Sequence, residues 1–236
     1  MLSWVRLAAG VLLVAGFIAG GVALYNSQVF AIVEIEVEGV SELTEQEVID
    51  VAALPEGATL LRFPGTAMEQ RLREHPWIVA AHVGRVLPDG LVIHVTERTP
   101  AAIVDVGEAS FWLVDGEGIA LGARTPDAAS DLMVVRDVPD FAPVAGEASE
   151  SASLANALAV VAGLGEELRS RTRAISAPSV DLTTLITTDD VEILVGSAEE
   201  IEKKEAVALR ILEEQAPNVV HINVRTVDRP TWRGLE

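Results

Sequence analysis

Hydrophobic and polar positions divide the chain into two regimes. Residues 7–33 carry no charge, and residues 7–24 are almost wholly Leu, Val, Ile, Ala, Gly and Phe. Beyond Val33, apolar residues come in short periodic runs between charges. The first regime predicts a membrane-crossing helix over residues 7–28. Trp4 and Tyr25 would stand about 31 Å apart along it at 1.5 Å per residue, one aromatic at each face of a hydrocarbon layer roughly 30 Å thick. In the second regime, Ile35 and Val37 alternate with Glu34, Glu36 and Glu38, a half-buried strand over residues 31–38 that Gly39 ends. Thr44-x-x-Glu47 is a capping box opening a short helix with Val48, Val51 and Ala52 on one face, stopped by Pro55-Glu56-Gly57. Thr66-x-x-Glu69 reads as a second box, with Met68 and Leu72 turned inward before Pro76. Residues 77–87 favour a strand, Pro88-Asp89-Gly90 a turn, and Leu91, Ile93 and Val95 alternate with His94 and Thr96 on a return strand ending near Arg98. The order is strand, helix, helix, strand, strand, with Ile35, Val37, Val48, Leu72, Val83 and Ile93 in its core.

Beyond Pro100 strands come first. Residues 111–114 and 119–121 flank Asp115-Gly116-Glu117-Gly118 as a hairpin. Residues 137–153, with Pro139, Pro143 and Gly146, read as a solvated loop. Leu154, Leu158, Val161, Leu164 and Leu168 recur at helical spacing. Residues 180–185 and 191–195 are strand-like around a turn at Asp189-Asp190. Ser197-x-x-Glu200 reads as a cap for a helix burying Ile201, Ala208, Ile211 and Leu212. Residues 219–227 supply a last strand before Pro230. The fold class is α+β.

Charge orients the chain. Arg6 is the only basic side chain before Glu34, and the remainder carries all 36 Asp and Glu residues of a chain whose net charge is −19. A positive end ahead of the apolar run and acids behind it place the N-terminus in the cytoplasm and the body outside. A cleaved signal peptide, with Gly21-Val22-Ala23 as its cleavage site, is the competing reading, but the run exceeds the roughly 7–15 residues of a typical signal core. Gly16-x-x-x-Gly20 is a weak helix-packing match in a stretch this rich in small residues. So acidic a body is a poor binder of nucleic acid, where phosphates must be neutralised by Lys and Arg. With no cysteine, disulfides, thiolate metal sites and a cysteine nucleophile are excluded.

Candidate chemistry is sparse. His75, His82, His94 and His221 lack the spacing that puts two imidazoles on one helix face, so no metal site is expected. Gly116-x-Gly118 lies between strands rather than before a helix and reads as a hairpin turn instead of a phosphate cradle. No Gly-x-Ser-x-Gly elbow or Gly-x-x-x-x-Gly-Lys-Ser/Thr loop occurs, and the many carboxylates read as solvated faces. Arg169, Arg171 and Arg173 fit a helix C-terminus and, alternatively, a partner-binding patch. Trp77 and Trp112 are expected in the core, whereas Trp232 lies beyond the last strand with no pattern to bury it. No catalytic residue or cofactor is expected.

The run Val37-Glu38-Gly39-Val40, Leu54-Pro55-Glu56-Gly57, Leu60-Leu61-Arg62-Phe63 and, above all, residues 76–91 (from Pro76-Trp77-Ile78 to Pro88-Asp89-Gly90-Leu91) closing on Glu97-Arg98-Thr99-Pro100 resembles the POTRA domain of the bacterial division family FtsQ/DivIB, of actinobacterial kind. The second half, with its Val-Asp-x-x-Gly hairpin and a capped helix feeding a terminal strand, is similar to that family's β domain. The resemblance implies a short cytoplasmic N-terminus at 1–6, a transmembrane helix at 7–28, a POTRA domain at 29–99, a β-rich domain with helices at 100–229 and a tail at 230–236. It implies a non-enzymatic, single-pass scaffold of the cell membrane at the division septum. Its partners would be FtsB- and FtsL-like bitopic proteins and, through them, the septal peptidoglycan synthase complex. A terminal strand has no following segment to pair with, so it is expected at a sheet edge where a partner's strand can add. The partner-binding residues are then Ile222, Val224, Arg225, Thr226 and Val227, with Thr226 where the family usually has an aromatic. Rival functions are a membrane-anchored envelope hydrolase using carboxylates of the β domain, and a POTRA-bearing translocation component.

Overall fold

The computed structural model describes residues 2–25, 27–125, 132–215 and 217–234, with side chains from residue 10 onward. It forms two compact units, Met1–Glu97 and Arg98–Glu236. The first begins with helix α1, Leu2–Tyr25. The part of α1 with described side chains, residues 10–25, extends about 24 Å at 1.5 Å per residue, and among the described residues no helix is long and apolar enough to cross a membrane. The helix stops at Tyr25, short of residue 28. A 3-10 turn, Gln28–Phe30, follows, with the Ser27 hydroxyl accepting from the Val29 amide.

Three strands, β1 (Glu34–Glu38), β2 (Ile78–Val86) and β3 (Gly90–Glu97), form a sheet of order β1-β3-β2, with β1 parallel and β2 antiparallel to β3. Helices α2 (Glu45–Ala52) and α3 (Gly65–Arg73), with Leu60 from the loop between them, supply the rest of the core. Val37, Val48, Met68, Leu72, Val83 and Ile93 are buried together, while Ile35 is half-buried against them. The capping box at Thr44 forms as its spacing predicts: the Thr44 hydroxyl accepts from the Glu47 amide, and the Glu47 carboxylate accepts from the Thr44 amide. The box at Thr66 does not form. Helix α3 starts at Gly65 without a side-chain cap, and Glu69 turns instead to the open edge of β2, accepting from the Val83 amide and the His82 ring. Arg71 donates to the Ala52 and Ala53 carbonyls, satisfying the end of α2. Gly39 has φ +85°, and a Cβ there would meet the Val95 carbonyl oxygen at 2.0 Å, so only glycine lets β1 turn away here.

The second unit is a nine-stranded mixed sheet covered on one face by three helices. In chain order its elements are β4 (Pro100–Gly107), β5 (Ser110–Asp115), β6 (Ala120–Ala123), β7 (Met133–Arg136), α4 (Ala152–Gly163), α5 (Glu166–Arg171), β8 (Thr172–Ser176), β9 (Thr184–Thr187), β10 (Glu192–Leu194), α6 (Ile201–Gln215), β11 (Val219–Asn223) and β12 (Thr231–Gly234). The strands lie in the order β12-β11-β10-β9-β8-β7-β4-β5-β6. Pairing in register sets one row of side chains across eight of them on the helix-covered face: Trp112, Val104, Val135, Ile175, Leu185, Ile193, Ile222 and Trp232. The six aliphatic members are wholly buried, and a tryptophan stands at each end.

Several expectations change here. Strands β4, β7 and β8 were not foreseen, and the single helix over 154–168 is two, broken at Leu164-Gly165. Residues 180–182 form a 3-10 turn rather than strand. Ser197 does not cap α6, which begins at Ile201 after Glu200 in a left-handed conformation, φ 53°. The expected loop of 137–153 pairs with the turn entering β6: Ala120 donates to Glu147, Gly146 to Ala120 and Ser149 to Gly118, covering the first residue of β6 on its outer side. The three arginines each have a partner within the unit. Arg169 donates to the Val161 carbonyl, Arg171 pairs with Glu167, and Arg173, already in β8, pairs with Asp190. Trp77 is half-buried in the turn before β2 rather than in the core, and Trp112 is half-buried as well.

Two outcomes follow for the first unit. Leu72→Asp should abolish its cooperative unfolding transition, because an unpaired carboxylate in this core costs several kcal/mol against a domain stability of about 5–15 kcal/mol; an unchanged melting curve would contradict the packing. His75 is half-buried, its Nδ1 3.4 Å from the Trp77 amide, and burial lowers its pKa below the ordinary 6.5 against the opposing pull of Glu47 and Glu97. The unfolded state therefore binds the proton first, and stability falls as pH drops from 6.5 through the folded value. The Glu47 carboxylate, lowered by the Thr44 amide and hydroxyl, gives its contribution above 4.5 and loses it only below that. Thermal unfolding at a series of pH values should show a slope just below pH 6.5 that His75→Gln flattens while the slope below 4.5 persists.

Candidate functional site

The functional question reduces to what the second unit leaves open. Its two long edges differ. The β6 edge is covered at its start, Ala120, by residues 146–149. The opposite edge is β12, against which no further strand pairs among the described residues. The expected edge strand is thus displaced by one. β11 ends at Asn223, not Val227, and its outer side is occupied by β12, antiparallel, with Asn223 opposite Thr231, Ile222 opposite Trp232 and His221 opposite Arg233.

The five residues singled out from the sequence fall into two groups. Ile222 and Val224 are wholly buried, and the Val224 amide donates to the Leu194 carbonyl, so both anchor the strand and present no side chain outward. Arg225, Thr226 and Val227 lie in the connection to β12, closed by the Arg229 amide donating to the Thr226 carbonyl. Arg225 and Thr226 are exposed there. The Asn223 side-chain oxygen accepts from the Arg225 amide at 3.2 Å, and the Arg225 stem passes close over Gly196, where a Cβ would meet its Cγ at 2.9 Å. With φ +64° as well, Gly196 is required on both counts.

The residues missed were those of β12. Trp232 continues the buried row yet remains 49% exposed, since the sheet ends beside it. Arg233 ends a second row on the other face, opposite His221, which is in turn opposite Glu192. His221 Nδ1 is buried without a hydrogen-bond partner, with the Glu192 carboxylate 3.5 Å away. The edge therefore offers a free ladder, a half-exposed indole on one face and a cationic end on the other. The signal was a Thr-Trp pair of high strand propensity directly after Asp228-Arg229-Pro230, a turn-forming run.

Buried polar contacts fix this edge in place. Asn156 of α4 donates to the Thr183 hydroxyl and the Gly196 carbonyl and accepts from the Ala198 amide. Lys204 of α6 is buried, donating to the Val195 and Ser197 carbonyls at 3.0 and 2.7 Å. Burial lowers its pKa against the raising influence of Glu199 and Glu200. These bonds hold the connection from β10 into α6, whose far end delivers β11. At the start of the unit Arg98 pairs with Asp115 at 2.8 Å, and the other Asp115 oxygen accepts from the Glu117 and Ile119 amides, shaping the Asp115–Gly118 turn. Among the described residues no cluster of three or more His, Asp or Glu side chains could hold a metal ion.

The arrangement suits strand addition. An open ladder gives affinity through main-chain hydrogen bonds, and Trp and Arg are the side chains most often found as anchors in such interfaces.

Comparison with known proteins gives the family. The FtsQ-type POTRA domain matches residues 30–98, and the C-terminal domain of cell division protein FtsQ/DivIB matches residues 102–229. The cell division protein FtsQ of Anaeromyxobacter sp. (strain K) is 32% identical over 216 residues, covering 88% of this chain and 72% of that protein. That of Streptomyces venezuelae is 33% identical over 229 residues, covering 95% and 82%. With an FtsQ-type POTRA domain ahead of an FtsQ/DivIB C-terminal domain, the chain belongs to the FtsQ/DivIB family of cell division proteins.

Proposed function

We propose that the chain is a non-enzymatic, single-pass scaffold of the division septum. Residues 7–28 anchor it in the cell membrane with the N-terminus in the cytoplasm, and both units stand outside. The uncharged run from Leu7 to Val33, with Arg6 before it and Glu34, Glu36 and Glu38 after it, supports that topology. The observation that carries the scaffold reading is the open β12 edge beside Trp232. A strand of an FtsB- or FtsL-like bitopic partner adds there, with Arg225 and Thr226 flanking it and Ile222 and Val224 holding the sheet behind it. Through that partner the scaffold joins the septal peptidoglycan synthase complex.

Two measurements test this reading. Trp232→Ala should weaken capture of the partner by ~2 kcal/mol or more, roughly thirtyfold, as loss of an interface anchor does, and Trp232→Pro, which also removes the amide on the free side of β12, should abolish it. The Trp232 side chain is half-exposed and its amide faces away from β11, so the melting transition of the second unit should be little changed; undiminished co-purification of the partner with both variants would rule out this edge. For topology, the chain has no cysteine of its own, so a single Cys at Ser41 is a unique label. It should react with a membrane-impermeant thiol reagent in intact cells, and labelling only after lysis would reverse the orientation.

A further inference from the structure

The end of the first unit from which α1 emerges gathers most of the unit's exposed large apolar side chains. Val29 is 67% exposed, Val33 77%, Leu61 43% and Leu87 74%, and Tyr25 stands half-exposed at the end of α1. These residues come from three separate segments, and backbone bonds bring them together. The Leu60 amide donates to the Phe30 carbonyl, and Ala31 bridges Thr59, which sets Leu61 beside the chain leaving α1. The Val33 amide donates to the Asp89 carbonyl, which sets the Leu87–Asp89 turn beside Val33. The Arg62 guanidinium lies 5.7 Å from the centre of the Tyr25 ring. Arg85 donates to the Leu60 carbonyl and lies over the Phe63 ring at 4.6 Å.

None of these apolar side chains is needed for the core, which is complete without them. Four large apolar residues gathered at one end, with an aromatic and two arginines among them, have the composition of a surface that sits in a membrane interface, where apolar tips enter and Arg and Tyr lie at headgroup level. The charges at this end, Arg62 and Arg85 against Glu34 and Asp89, balance, so the contact is apolar rather than an attraction to anionic lipid.

We infer that this collar, Val29, Val33, Leu61 and Leu87, seats the first unit on the outer surface of the bilayer that holds α1. The inference rests on the membrane-anchored reading above. Its occupant is the lipid interface because the collar surrounds the point where the apolar helix leaves the unit. At the opposite end of β1, Ser41 and the Glu97 carboxylate, which accepts from the Ser41, Glu42 and Leu43 amides, face away from it.

The test uses the full chain in vesicles of phosphatidylcholine and phosphatidylglycerol, with one Cys introduced at Leu87, Val33 or Ser41 and labelled with a polarity-sensitive dye. Emission at Leu87 and Val33 should be blue-shifted and quenched by lipids spin-labelled near the headgroup, in high salt as in low, while emission at Ser41 stays water-like. Replacing Val29 and Leu61 with Ser should remove the shift at Leu87 without changing the melting transition. If Ser41 is reached from outside but Leu87 reports water, the collar is overturned and the anchor stands. If Ser41 is not reached from outside, the anchored reading fails, and the collar with it.

Discussion

One registered row of side chains organises the second unit. Because a strand presents alternate residues to opposite faces, pairing in register stacks Val104, Val135, Ile175, Leu185, Ile193 and Ile222 into a continuous apolar line across six strands. Helices α4, α5 and α6 pack on that line and exclude water from it. A slip of one residue at any ladder would send part of the line to the opposite face. The line ends at Trp232, which among the described residues has a strand on one side only, β11.

Edges explain the remaining architecture. A sheet edge is a row of unpaired N–H and C=O groups, and the chain blunts most of its own. Residues 146–149 cover the start of β6, Glu69 takes an amide of β2, and β1 alternates three glutamates along its exposed face. The β12 edge has none of these protections. The Glu97-Arg98 dipeptide shows a similar economy at the step between units: the carboxylate gathers three amides of the loop after β1, and the next residue's guanidinium holds Asp115 in the hairpin turn.

The first unit was legible in nearly every element because its signals are local. Alternation along β1 and β3, the Thr44 box and the Pro88-Asp89-Gly90 turn each act within a few residues. The Thr66 box failed because its partner was not local: Glu69 found a β2 amide fourteen residues away. In the second unit, β4 and β7 place apolar residues on both faces, as at Ile103-Val104 and Val134-Val135, and β8 opens with Thr172-Arg173, so none shows the apolar-polar alternation that marks a half-buried strand. Gly165 broke one apparent helix into two, its amide donating to Glu205 of α6, a contact invisible in the spacing of leucines. At the site, the position of the last edge was missed by one strand, since four residues after a proline are too few to show periodicity. Lys204 reads from sequence as a surface charge, and only its burial between two carbonyls shows it to be internal.

The shortness of β12 has a mechanical consequence. Four residues join it to β11 along one flank, so a load applied through a strand docked on its free side is not shared by the whole sheet. Pulled sideways, such a ladder peels one rung at a time, while the row from Val104 to Ile222 stays paired on both sides. β12 can therefore act as a mechanical fuse: it gives way while the other eight strands stay paired, and the seven-residue connection 224–230 keeps it close enough to β11 to re-form.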